Sequence, residues 1–216
     1  MPATAPRARP VPLLFLLADT GGGHRSAAMA VREAIEQAYP GQFAVTCCDP
    51  LGGCAAPWPL RLLTGWYGPA VRFAAPAWAA AYYLTDSRPG VWLLERTMLG
   101  LAVRPVARAL ARHRPAVVVS FHPLAGPPAS RARRRALAGP PLLTVVTDLA
   151  GWHASWQAGR PARIIAPAAA TAALPVGSSF QPGPASEEGR ARLRLSLGLR
   201  PGAFTVLPPR RTAARG

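Results

Sequence analysis

Apolar residues along this chain fall into two spacings that alternate from one end to the other. Residues 11–18 (VPLLFLLA) form an unbroken apolar run, as expected of a parallel strand buried on both faces. From Ser26 onward Ala27, Val31, Ala34, Ile35 and Ala38 follow helical spacing, and YPGQ closes that helix. A second strand is predicted over 43–48 (FAVTCC), ending at Asp49 and Pro50. Residues 93–113 read as one helix, with Leu94, Met98, Leu101, Val106 and Leu110 on or near one face. Further strands are predicted over 116–121 (AVVVSF), 142–147 (LLTVVT) and 163–166 (RIIA). Strands alternating with helices imply an α/β fold, a Rossmann-like parallel sheet flanked by helices.

Such sheets bind ligands at the carboxyl ends of their strands. The strand exits here read Asp19-Thr20-Gly21-Gly22-Gly23-His24, Asp49, His122-Pro123 and Asp148-Leu149, with His153 and Trp156 close behind. Two histidines and three acids therefore gather along one edge. Gly21, Gly22 and Gly23 let backbone N–H groups approach a ligand with no side chain between, and the helix behind them adds a positive dipole end. The loop is neither a Walker loop nor a G-x-G-x-x-G fingerprint. His24 alone reads more readily as an ordinary helix-start histidine than as a catalyst, and the company of His122 and Asp148 at strand exits strengthens the second reading.

Residues 55–92 depart from the alternation. They carry Trp58, Trp66, Tyr67, Phe73, Trp78, Tyr82, Tyr83 and Trp92 among Arg61, Arg72 and Arg88. Tryptophan and tyrosine beside arginine suit a bilayer interface. The alternative is a loop-rich subdomain with its aromatics turned inward. Residues 131–135 (RARRR) read as an anion patch or as a solvated helix face.

Composition sharpens this picture in three places. The chain has 216 residues and a net charge of +16, from 25 basic and 9 acidic residues. Every basic residue is arginine, a bias that suits GC-rich coding, yet the surplus still favours anionic partners. No nucleic-acid partner is expected, because no helix-turn-helix, zinc-finger or RNA-binding signature is present. Cys47, Cys48 and Cys54 lack metal-ligand spacing, so no metal is expected, and adjacent cysteines at a strand end suit a small buried hydrophobe in a reducing compartment. Arg7 and Arg9 before VPLLFLLA give a weak signal-peptide pattern, but Asp19 and the glycines stand where a cleavage site belongs, which favours a buried strand.

Three motifs in register, DTGGGHRSAA, SFHPL and VVTDLAGWHASW, resemble the N-terminal half of the monogalactosyldiacylglycerol synthase and processive diacylglycerol glucosyltransferase family. More distantly they are similar to the lipid-linked glucosaminyl transferase of peptidoglycan synthesis. The resemblance covers roughly residues 11–168 and implies the N-terminal domain of a GT-B fold. It implies hexose transfer from a UDP-sugar to diacylglycerol, by an enzyme peripheral to the cytoplasmic face of the membrane and needing no cofactor. Anionic membrane lipids and diacylglycerol would be partners. His24 would be the base or the group that orients the acceptor, and Asp148 would pair with a histidine or be the base itself. Gly21, Gly22, Gly23, His122, His153 and Trp156 would contact acceptor or phosphate. Trp58, Trp66, Tyr67, Trp78, Arg61 and Arg72 would face the membrane.

The domain expectation is an acceptor-binding domain over 1–168, a linker over 169–185, and the truncated start of a donor domain over 186–216. Ser186, Glu187 and Glu188 read as the cap and first turn of that last segment's helix. The donor loop expected after residue 207 is replaced by PPRRTAARG, so an incomplete chain of low activity is anticipated. A non-catalytic lipid-surface module of the same fold and a free-standing nucleotide-binding protein are the competing readings.

Overall fold

The computed structural model of the protein describes residues 9–20, 22–53, 55–135, 139–148, 153–159, 161 and 163–165. Gly21, Cys54 and the segments expected to be linker and donor domain lie outside these residues. Five parallel strands, β1 (Val11–Leu16), β2 (Phe43–Cys48), β3 (Val117–Ser120), β4 (Leu142–Val145) and β5 (Arg163–Ile165), form one sheet in the order β2-β1-β3-β4-β5. Pairing is in register throughout, with Leu14 opposite Thr46 on one side and Val118 on the other. The chain reverses its direction of sheet growth between β1 and β3, the kind of position beside which sheets of this class bind their ligands.

The two-residue period of β1 divides its apolar run between the sheet's faces. Leu14 and Leu16 join Val103, Val106, Ala109, Ala129 and Ala132 on one face, while Leu13, Phe15 and Leu17 join Ala28 and Phe121 on the other. Helix α1 (Gly23–Ala38) covers the second face with Ala27, Val31 and Ile35. The first face is covered by the helices over Val103–His113 and Gly126–Arg134.

Helix α1 begins three residues before the position expected from its apolar spacing. Gly22 takes φ of 78°, the left-handed region that favours glycine, and serves as N-cap without a side-chain hydrogen bond. Gly23 and His24 are thereby drawn into the first helical turn.

Residues 55–92 are helical rather than loop-rich. Helix α2 (Trp58–Phe73), α3 (Ala75–Thr85) and α4 (Arg88–Arg96) follow one another, each opening with proline in its first turn. The single helix expected over 93–113 is three pieces: the end of α4, a 3-10 turn at Leu99–Ala102, and α5 (Val103–His113). Pro105 lacks an N–H, so it fits the first turn of a new helix and not the interior of a continuous one. Thr97 closes α4, its hydroxyl donating to the Leu93 carbonyl at 2.8 Å.

Arginines of the 131–135 run staple helix α6 (Gly126–Arg134) to its neighbours. Arg131 pairs with Glu95 at 2.9 Å and also donates to the Glu95 carbonyl, while Arg133 donates to the Pro140 carbonyl. Arg134 and Arg135 remain exposed. No helix among the described residues is long and apolar enough to cross a membrane.

Candidate active site

Strand geometry brings together the ends of β1, β3 and β4 with the first turn of α1. A cavity of about 470 Å³ opens there, lined by Thr20, Gly23, His24, Ala27, Tyr67, Val145, Val146, Thr147 and Asp148. His24 stands on its wall with Nδ1 2.8 Å from the Thr147 hydroxyl. Burial lowers the His24 pKa below the ordinary 6.5, and the Asp148 charge and a hydrogen bond to the Phe121 carbonyl pull it partly back. The imidazole is therefore neutral near pH 7.

His122 lies edge-on to His24, with ring centroids 4.5 Å apart. Its burial is nearly complete, and desolvation together with the nearby His24 pushes its pKa down to about 3. Its Nδ1 accepts the Leu124 N–H at 3.2 Å, so its proton sits on Nε2, which donates to the Thr20 hydroxyl at 3.0 Å. His122 is thus a fixed neutral support, set back from the cavity lining.

Asp148 reaches the cavity rim from the end of β4. The buried Trp156 indole N–H donates to its Oδ2 at 2.6 Å, which orients the carboxylate. His153 belongs to a different cluster. Thr85 donates its hydroxyl to the Ala81 carbonyl, so it accepts from His153 Nε2, while His153 Nδ1 accepts the Ser155 N–H. Asp86 accepts the Ala154 N–H at 2.7 Å and Tyr82 lies against the His153 ring. The loop that carries Trp156 is therefore tied to the C-terminal end of α3.

Asp19 and Asp49 do not line the cavity. Asp19 pairs with Arg25 at an exposed site, and Asp49 accepts the N–H groups of Leu51 and Gly52 to close its own turn. Gly22 and Gly23 have open space where a Cβ would stand, and Gly21 lies outside the described residues. Among the membrane-face candidates, Trp58, Trp66, Arg61 and Arg72 are exposed. Tyr67 and Trp78 are half-buried and meet edge to face at 5.0 Å, with Tyr67 reaching the cavity. Cys47 and Cys48 are free thiols whose pKa values burial raises, and Cys54 lies outside the described residues. Among the described residues no three His, Cys, Asp or Glu side chains converge as a metal-ion site.

Thr20, Thr147 and Asp86 acquire roles that their residue types alone do not announce. Thr20 and Thr147 sit at strand exits, and that position was the only available signal for them. Asp86 carries no signal in the sequence, because its partner lies 68 residues away.

A five-stranded parallel sheet, flanked by helices and with its strand order reversing between β1 and β3, is a Rossmann-like α/β domain, the architecture of the N-terminal domain of a GT-B fold. The chain belongs to the monogalactosyldiacylglycerol (MGDG) synthase family, whose model matches residues 24–170. It is 33% identical over 156 residues to the chloroplastic monogalactosyldiacylglycerol synthase of Spinacia oleracea, covering 68% of this chain and 28% of that protein. It is 32% identical over 154 residues to monogalactosyldiacylglycerol synthase 1 of Arabidopsis thaliana, with the same shares. The aligned part of the chain thus spans somewhat over a quarter of the length of these curated relatives.

Proposed function

We propose that this chain forms the acceptor side of a glycolipid-synthesising hexosyltransferase, which moves a sugar from a UDP-sugar to diacylglycerol at a membrane surface. The observation that carries the reading is the neutral His24 imidazole on the cavity wall, beside Asp148, with Tyr67 of the aromatic helix α2 lining the same cavity. The acceptor hydroxyl enters the cavity and gives its proton to His24 as its oxygen bonds to the anomeric carbon. The bond from that carbon to UDP breaks, and its electron pair leaves with the UDP. Asp148, held by Trp156, offsets the positive charge that forms on the imidazole. In this reading the donor is held by a C-terminal domain facing the cavity, and no further cofactor takes part.

Helices α2 to α4 supply the approach to the bilayer. Trp58, Trp66, Phe73, Tyr83, Leu84 and Trp92 are exposed there, with no acidic residue between Leu51 and Thr85 to repel anionic lipid. Peripheral docking on the cytoplasmic face places the cavity within reach of lipid hydroxyls. A non-catalytic lipid-binding module would use the same exposed face, so His24 separates the two readings. With a donor domain supplied in trans, the chain should transfer labelled hexose to diacylglycerol in anionic vesicles. His24→Ala should abolish transfer and leave vesicle binding intact. Transfer by His24→Ala at the unsubstituted chain's rate would overturn the catalytic reading.

A further inference from the structure

The Thr20 hydroxyl is a one-directional donor. Leu124 N–H occupies His122 Nδ1, which leaves Nε2 as the protonated nitrogen, and that N–H points at Thr20 Oγ1 from 3.0 Å. The hydroxyl oxygen is an acceptor in this bond, so its own proton is left for another partner. Among the described residues nothing takes that proton. Thr20 also lines the cavity with His24, and its oxygen joins the His122 ring that lies edge-on to His24. Thr20 therefore offers an available O–H donor in the lining that it shares with His24.

The chemistry of an acylglycerol divides between these two groups. Its free hydroxyl must lose a proton, a task for His24. Its ester carbonyls only accept hydrogen bonds, and the nearer one lies a few bonds from the free hydroxyl. A donor placed on the attacking oxygen would occupy a lone pair that the reaction uses, whereas the same donor on the ester carbonyl orients the lipid without that cost. We propose that Thr20 is a specificity-determining residue that donates its hydroxyl proton to an ester carbonyl of the acceptor lipid and so selects acyl over alkyl glycerolipids. This rests on the acceptor reading above, since it presumes a glycerolipid in the cavity.

The test compares two ligands that share the free hydroxyl and differ only in the carbonyls: 1,2-dihexanoylglycerol and 1,2-di-O-hexylglycerol. The unsubstituted chain should bind the diacyl compound about three- to tenfold more tightly, the usual effect of one neutral hydrogen bond. In Thr20→Val the ratio should fall to about one, while Thr20→Ser, which keeps the hydroxyl, should restore it. Thr20→Ala replaces the valine variant if the larger side chain disturbs the turn. A ratio that persists in Thr20→Val or Thr20→Ala, or that is absent from the unsubstituted chain, overturns the assignment while leaving the acceptor reading intact. Failure of the unsubstituted chain to bind either glycerolipid overturns the acceptor reading, and this inference with it.

Discussion

His24 and His122 stand edge-on with ring centroids 4.5 Å apart, one at the start of helix α1 and the other just beyond β3. Two imidazoles this close do not charge together, and each is already disfavoured as a cation by burial. The deeper ring is held in one tautomer by Leu124 and Thr20, and His24 is the member of the pair that lines the cavity.

His24 should titrate below 6.5 in the isolated chain, followed through its imidazole carbon-bound proton by NMR. Asp148 raises the His24 pKa, so Asp148→Asn should move the titration to still lower pH. An unchanged midpoint in Asp148→Asn would show that the carboxylate does not act on this imidazole. If His24 is the base, transfer rates should be flat near neutral pH and fall on acidification below 6.5.

Stability should also decline in acid. The folded pKa of His122, about 3, lies below its ordinary 6.5, so between these values the unfolded chain binds a proton that the folded chain refuses. Its contribution is complete above about pH 6.5 and is lost as pH falls toward 3, at about 1.4 kcal/mol per unit across that window. His24 and His153 act in the same direction, since burial lowers both. Chemical denaturation at pH 7.5, 6 and 5 should show a steeper loss for the unsubstituted chain than for His122→Asn, although the variant starts less stable.

The sheet was largely legible in the sequence, because β1, β3 and β4 are apolar runs too short for helices and bounded by glycine, proline or charge. Helix boundaries were less so. Leu94, Met98, Leu101, Val106 and Leu110 keep a near-helical spacing across the interruption at Thr97 and the 3-10 turn, so periodicity alone hides it. Helix α3 is apolar on every side and fully buries none of its residues, which left no one-sided pattern to read. In the candidate site, His24, His122 and Asp148 were visible by residue type at strand exits. Thr20 was not, because a threonine becomes a directed donor only when a neighbour of fixed tautomer accompanies it, and that neighbour lies 102 residues away.

Membrane attachment should depend on the exposed rings of α2. Trp58 and Trp66 are 74% and 62% exposed, so replacing either by alanine leaves the fold intact. Each change should weaken binding to phosphatidylglycerol vesicles about tenfold or more, as measured by sedimentation. Arg61→Gln and Arg72→Gln should each cost about fivefold on anionic vesicles and nothing on phosphatidylcholine. Equal losses on both lipids would assign the arginines to folding instead.

The tie between α3 and the Trp156 loop gives a further expectation. Thr85→Val removes the acceptor for His153 Nε2–H, and Asp86→Ala removes the acceptor for Ala154 N–H. Either change should lower stability by about 1–3 kcal/mol and shift the Trp156 indole N–H resonance as its bond to Asp148 loosens. A stability loss without movement of that resonance would make the tie purely local.

The most direct measurement is a titration of isotopically labelled chain with 1,2-dihexanoylglycerol, following the four histidines by NMR. His113 ends α5 just before β3 begins, at the opposite edge of the sheet from the cavity, and serves as the internal control. Saturable shifts are expected at His24 and the Thr147 methyl, with His113 unmoved. Shifts confined to the α2–α4 face, or none at all, would contradict an acceptor site at His24.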